Sequence, residues 1–154
     1  HQLQPLKSAL IPITVSILVG SVSAAVSSLG LSLWLGASTD TVLSLLPKST
    51  ATPVAMGSAE SLGGLPALSA VTVIVTGIFG AIAGIPLLRL AGFHDLREQG
   101  IALGMAAHGV GTAREFQIDI TLGAWSGLAM SLGAIATSAI APGLWWLVQL
   151  GGLG

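Results

Sequence analysis

Three long stretches of the sequence, residues 8–36, 66–90 and 122–150, are apolar almost throughout. No other feature limits the fold as much. A helix needs roughly 20 apolar residues to cross the hydrocarbon core of a bilayer. In lipid every backbone N–H and C=O must find a partner inside the structure, which leaves helices or closed barrels as the spanning elements. Only 7% of the 154 residues are charged, against about 25% in a soluble domain. Such a chain cannot coat a water-facing surface. The expected fold class is an all-α membrane protein, a polytopic helical bundle in the lipid bilayer, with residues 1–154 forming one transmembrane domain. The Lys and Arg residues number five and are scattered singly, so no basic patch exists to hold nucleic acid. The absence of cysteine removes disulfides, thiolate nucleophiles and Cys-type metal sites. The chain opens on His1 rather than Met, and the reading is that it forms part of a longer protein.

The first apolar run follows Lys7 and ends near Gly36. Pro12 is expected near the helix start, where its missing N–H matters little. Ser16, Gly20, Ser23 and Ser27 recur at helical spacing, a small-residue stripe suited to close helix contact. Residues 40–47 read as a short helix capped by Asp40. Pro47 and Pro53 then bracket Lys48-Ser49-Thr50-Ala51-Thr52. The residue before a proline is biased away from helix, so this is a clear break. Helix resumes from Val54 to Leu62 and stops at Gly63-Gly64. The 66–90 run closes on Arg89, with Pro86 expected to kink its last turn. A polar loop follows over 91–98. Residues 99–107 can form helix, a second break falls on His108-Gly109-Val110-Gly111-Thr112, and helix resumes from Ala113 to about Gln117. Asp119 and Thr121 lead into the last run, where Trp145-Trp146 suits an interfacial belt.

A shift of sixty residues places Lys48 on His108, Thr52 on Thr112, Leu62-Gly63 on Leu122-Gly123 and Leu68 on Leu128. The order also repeats: short arm, polar break, short arm, glycine, full span. The repeat units are about 40–90 and 100–150. If each broken segment dips into the bilayer and returns, Lys7, Arg89 and Arg97 fall on one side, as the positive-inside rule prefers. The two hairpins would then come in from opposite faces, making the repeat an inverted one.

Broken helices in lipid survive only where they are buried in protein or line a wet cavity. At each break the downstream arm offers free N–H groups and the positive end of a helix dipole. Lys48, His108 and Arg114 add cationic or ionisable side chains, while Ser49, Thr50, Thr52 and Thr112 add hydroxyls. Pro53, Gly109 and Gly111 shape the breaks. This collection suits a small carboxylate, and His108, with an unperturbed pKa near 6.5, suits proton coupling. A structural account of the same residues stands beside it: Lys48 paired with Glu60, His108 packed neutral, and Arg114 neutralised by Glu115, Asp119 or Glu60. Arg97 and Glu98 read as solvated loop charges. No zinc spacing, phosphate loop, nucleophile elbow or paired-carboxylate pattern is visible, so no enzyme activity, cofactor or metal is expected.

The segments Ser44-Leu-Leu-Pro-Lys-Ser-Thr-Ala-Thr-Pro-Val-Ala-Met56 and Leu62-Gly-Gly-Leu-Pro-Ala-Leu68, with Gly104-Met-Ala-Ala-His-Gly-Val-Gly-Thr-Ala-Arg-Glu115 and Leu128-Ala-Met130, resemble the LrgB/CidB family of membrane proteins. The resemblance covers nearly the whole chain and corresponds to the C-terminal two-thirds of typical members. It departs at Gly57, where members often carry an acidic residue. It implies a multi-pass protein of the bacterial cytoplasmic membrane. For function it implies two roles. One is antiholin-like control of murein hydrolase activity and autolysis beside a smaller LrgA/CidA-type membrane partner. The other, from plastid relatives that carry glycolate and glycerate and bacterial members tied to pyruvate movement, is transport of small monocarboxylates. The cationic breaks favour transport. Substrate, coupling ion and homo-oligomeric state are left open by the residues.

Overall fold

The computed structural model describes residues 3–150, and the side chains of residues 11–150. His1 lies outside the described residues, as does the side chain of Lys7. Six helices follow in order: α1 Leu3–Trp34, α2 Thr39–Leu45, α3 Thr52–Leu62, α4 Pro66–Leu90, α5 Leu96–Ile118 and α6 Ile120–Leu150. Three stretches, Ile11–Trp34, Pro66–Leu90 and Ile120–Leu150, are long and apolar enough to cross a membrane.

Several local signals act as expected. Gly36 and Gly63 take positive φ of 67° and 88° at the ends of α1 and α3, conformations that favour glycine because no Cβ is in the way. Asp95 caps α5 by accepting from Arg97 N at 2.8 Å and Glu98 N at 3.3 Å. Asp119 does the same for α6, accepting from Thr121 N at 2.7 Å and Leu122 N at 3.1 Å.

Other expectations are corrected. Pro12 sits inside α1, because the helix begins upstream of the apolar run. The N-cap of α2 is Ser38 rather than Asp40, and its side chain makes no capping bond. α3 starts at Thr52, with Pro53 in the first turn, where its fixed φ is tolerated. The polar loop shrinks to residues 91–95, since Asp95 caps a helix already begun at Leu96. The stripe expected to make close contact is one position off. The buried face of α1 carries Ile13, Ile17, Ser21, Ala25, Ser28 and Ser32, while Ser16, Gly20 and Ser27 line an open cleft. Trp145 packs with Leu46, Ala25 and Ala141 in a core cluster, so only Trp146 points outward.

The two interruptions differ in form. Between α2 and α3 the chain leaves helix over residues 46–51, then returns. Leu65 N donates to Ser44 Oγ at 2.7 Å, so the end of α3 comes back beside α2. Ser28 of α1 ties into the same place by donating to Leu45 O at 2.9 Å. Leu46 joins Ala25 and Leu29 of α1 to Ile140, Ala141 and Leu144 of α6. This hairpin therefore sits among the C-terminal parts of α1 and α6.

α5 is broken at one residue, His108, whose φ of 50° and ψ of −144° are non-helical. The expected five-residue break is reduced to that single position. Yet the turn is complete. A Cβ on Gly100 would lie 2.7 Å from Leu122 O, and one on Gly104 would overlap the Ser126 backbone. Beyond His108, Thr112 hydrogen-bonds Ser126 at 2.7 Å and Phe116 packs on Gly123. Gly100 and Phe116 thus meet one stretch of α6, and Gly104 and Thr112 meet another. Only an element folded back at residue 108 can do this. Its apex rests on α4, where Gly77 and Gly80 receive Ala107 and Val110, near the midpoint of that helix. The α5 hairpin therefore occupies the N-terminal part of α6, at the end opposite the α2–α3 hairpin.

Candidate functional site

The two interruptions approach each other. The Lys48 ammonium is close enough to His108 to act electrostatically on its ring. A cleft of about 720 Å³ runs between α1, α4 and the first arm of α5. Phe93, just before α5, and Glu98, in its first turn, line it at one end, while Lys48 and Ser49 line it where the α2–α3 hairpin arrives. Ser16, Gly20 and Ser27 of α1 and Thr76 of α4 supply small and hydroxyl-bearing walls. Met105 and Ala106, just before the apex, close the α5 side.

The residues expected from sequence divide into two sets. Lys48 and Ser49 line the cleft, and His108, 2% exposed, stands at the apex near Lys48. The others are placed elsewhere or already occupied. Thr50 Oγ1 donates to Pro47 O at 3.0 Å, holding its own loop together. Thr52 and Pro53 open α3, with Pro53 exposed. The Thr112 hydroxyl is taken up by Ser126 on α6. Arg114 is exposed and reaches Gln117 Oε1 at 3.4 Å, so it joins neither the site nor Glu115. Gly109 faces open space, and nothing around it requires a glycine. Gly111 does matter: a Cβ there would collide with that of Ala107 across the hairpin. Lys48 faces the cleft while Glu60 is exposed on α3.

Three features were not read from sequence as functional. Glu98 lines the cleft instead of standing free in a loop. The small residues of α1 form a wall, not a contact seam. Glu115 is 2% exposed, and neither carboxylate oxygen has a hydrogen-bond partner among the described residues. The signal for Glu115 was present: His108, Thr112 and Glu115 at i, i+4 and i+7 share one helix face. Among the described residues no group of three or more His, Cys, Asp or Glu side chains could hold a metal ion.

The backbone of His108 is itself informative. A residue with a Cβ in this positive-φ region is strained by about 1–3 kcal/mol, and such strain persists where surroundings over-determine it. His108→Gly is expected to raise unfolding free energy by about that amount and to remove the imidazole on which Lys48 acts. Thermal unfolding of the purified variant in detergent checks the first part. An unchanged or lowered midpoint would mean that the ring's packing outweighs the backbone strain.

Long apolar helices, two folded-back segments and an internal cleft bearing a lysine define the class: a polytopic helical membrane protein. More narrowly, the chain belongs to the LrgB-like family, whose model matches residues 1–147. It is 37% identical over 137 residues to the uncharacterized protein YwbG of Bacillus subtilis, covering 89% of this chain and 61% of the relative. It is 37% identical over 107 residues to the holin-like protein CidB of Staphylococcus epidermidis, covering 70% of this chain and 47% of that protein. An uncharacterized protein of Haemophilus influenzae is 33% identical over 133 residues, 86% of this chain and 58% of the relative. The chain thus spans less than two thirds of the length of these curated relatives. No solved structure matches it.

Proposed function

We propose that the protein carries small monocarboxylates, of the glycolate, glycerate or pyruvate class, across the bacterial cytoplasmic membrane. One observation carries this reading: Lys48 and Ser49 line a cleft of about 720 Å³ that the first arm of α5 walls as far as Ala106. A cationic side chain held away from bulk water costs several kcal/mol unless an anion balances it. Glu98 lines the same cleft at the start of α5, away from where the α2–α3 hairpin arrives; a substrate carboxylate beside Lys48 would supply that charge, and Ser49 a hydroxyl donor. The first turns of α3 and of the second α5 arm begin at the breaks, so free N–H groups and positive dipole ends are at hand. The volume falls within the range of about 300–1,000 Å³ typical of ligand pockets. It exceeds the needs of a two- or three-carbon acid, and water fills the remainder.

In this reading the two hairpins are re-entrant and come in from opposite faces, meeting near mid-membrane as an inverted repeat. The return contact of Leu65 with Ser44 and the paired contacts of α5 with α6 support it. Cysteines placed at Ser38 and Ser61 are expected to react with an impermeant thiol reagent from one and the same side. Reaction from opposite sides would end the re-entrant arrangement. The name holin-like, given to CidB, links the family to autolysis. Here any effect on murein hydrolase activity would follow indirectly from altered carboxylate flux.

The test is uptake of labelled glycolate, glycerate and pyruvate by vesicles reconstituted with the purified full chain. Saturable uptake of at least one, competed by the others, is expected. Uptake no faster than in protein-free vesicles would remove the carrier reading. It would favour an antiholin-like regulator acting with an LrgA/CidA-type partner.

A further inference from the structure

The carrier reading leaves one buried ionisable group unused. Glu115 lies on the returning arm of α5, facing α6. Its two carboxylate oxygens are buried and make no hydrogen bond among the described residues. The Ser126 hydroxyl is beside it, already joined to Thr112 Oγ1 at 2.7 Å. Gly111, lacking a Cβ, leaves room for Oε1, which would sit 3.4 Å from such an atom.

Among the described residues no countercharge is built around this carboxyl. α6 has no charged residue and no histidine anywhere along Ile120–Leu150. α4 carries only Arg89, exposed on its last turn. The described part of α1, from Ile11 on, has none. On α5 itself, Arg97 stacks over Trp125 at 4.8 Å, Glu98 lines the cleft, Arg114 turns to Gln117, and His108 sits at the apex. A bare carboxylate without partners is among the costliest groups to bury, whereas the neutral acid needs only one hydrogen-bond acceptor. Ser126 and Thr112 offer hydroxyl oxygens as acceptors. Glu115 also lies three residues before Ile118, the end of α5, roughly 4.5 Å of helix rise from the turn. A shift of the arm by about one turn would bring it to water.

We propose that Glu115 is the proton-binding group of the carrier. It takes a proton from water at the α5–α6 turn and holds it as the neutral acid while the hairpin is packed on α6. It returns the proton to that same water, as carboxylate, when the arm moves outward, so the pH on that side sets whether the packed state forms. The Ser126 hydroxyl beside it is the acceptor that the protonated acid would use in the packed state. The inference rests on the carrier reading for its purpose, but not for its chemistry.

Two measurements separate these. Infrared difference spectra of the purified full chain at neutral pH, wild type minus Glu115→Gln, are expected to contain the carbonyl stretch of a protonated carboxyl. No such band would overturn the proposal whether or not the protein transports anything. In vesicles, a pH gradient with the acid side outside is expected to stimulate pyruvate uptake by the wild type. In Glu115→Gln that stimulation is expected to fall by about tenfold, within the usual range of site–site coupling. Thermal unfolding of the variant shows whether it is folded, since Gln keeps the shape of Glu. A folded variant with undiminished gradient response would overturn the coupling role. A protonated-carboxyl band in a protein that moves no monocarboxylate would instead overturn the carrier reading and leave Glu115 as a proton site.

Discussion

Lys48→Ala is expected to lower the affinity of reconstituted vesicles for labelled glycolate or pyruvate by roughly 30-fold or more. The figure follows from the typical loss of about 2–5 kcal/mol when one partner of a desolvated charge pair is truncated, at about 1.4 kcal/mol per tenfold. Lys48 lines the cleft beside Ser49, and no other cationic side chain lines it among the described residues. Lys48→Arg should restore part of the binding, since charge is kept but the shape is not. Arg114→Ala provides the contrast. Arg114 is exposed and engaged with Gln117, so its loss should change uptake by about twofold at most, as for other surface polar contacts. Equal losses for the two variants would place the anion site somewhere other than this cleft. Uptake unaffected by Lys48→Ala would remove the lysine from the mechanism altogether.

Gly104→Val is expected to destabilise the protein by about 3 kcal/mol, the upper part of the range for overpacking. A Cβ at that position would overlap the carbonyl oxygen, carbonyl carbon and Cα of Ser126. Backbone cannot rotate away as a flexible side chain can, so the α5 hairpin would have to lift off α6. The Thr112–Ser126 hydrogen bond and the packing of Phe116 on Gly123 would go with it. Gly109→Ala is the matching control: nothing lies within 4 Å of its added Cβ. The gain should be up to about 1 kcal/mol from helix propensity alone. Thermal unfolding in detergent, with both variants beside the parent, measures the difference. Equal midpoints would show that the hairpin does not depend on this close approach.

Much of the architecture was legible in the sequence. α4 was bounded by Pro66 and Arg89, and α3 by Gly63, because a proline in the first turn and a glycine at positive φ are local requirements of the backbone. The interruptions at Lys48 and His108 were legible for the same reason. Their extent was not. Five residues around His108 looked helix-averse, yet only one leaves helix, because Ala107 and Val110 seat on α4 and Thr112 bonds to α6, which holds the glycines between them in helix against their weak propensity. The return of α5 was an expectation drawn from where Lys7, Arg89 and Arg97 fall, not from the pattern of the break itself. It rests on pairs such as Gly100 and Phe116 meeting the same α6 surface, which no spacing rule encodes.

The site shows the same division. The sequence by itself determined that this is a membrane protein with three apolar spans and two polar interruptions, because hydropathy and helix termination are properties of neighbouring residues. Only the tertiary structure decided which polar groups are free. Thr50 and Thr112 carry the hydroxyls that a substrate would want, but one is claimed by Pro47 and the other by Ser126. Arg114 carries the charge but faces outward, while Glu115, its neighbour, is sealed inside without a partner. A side chain's chemistry is written in the sequence. Whether it is spent on the protein or left for a ligand depends on partners brought from distant parts of the chain.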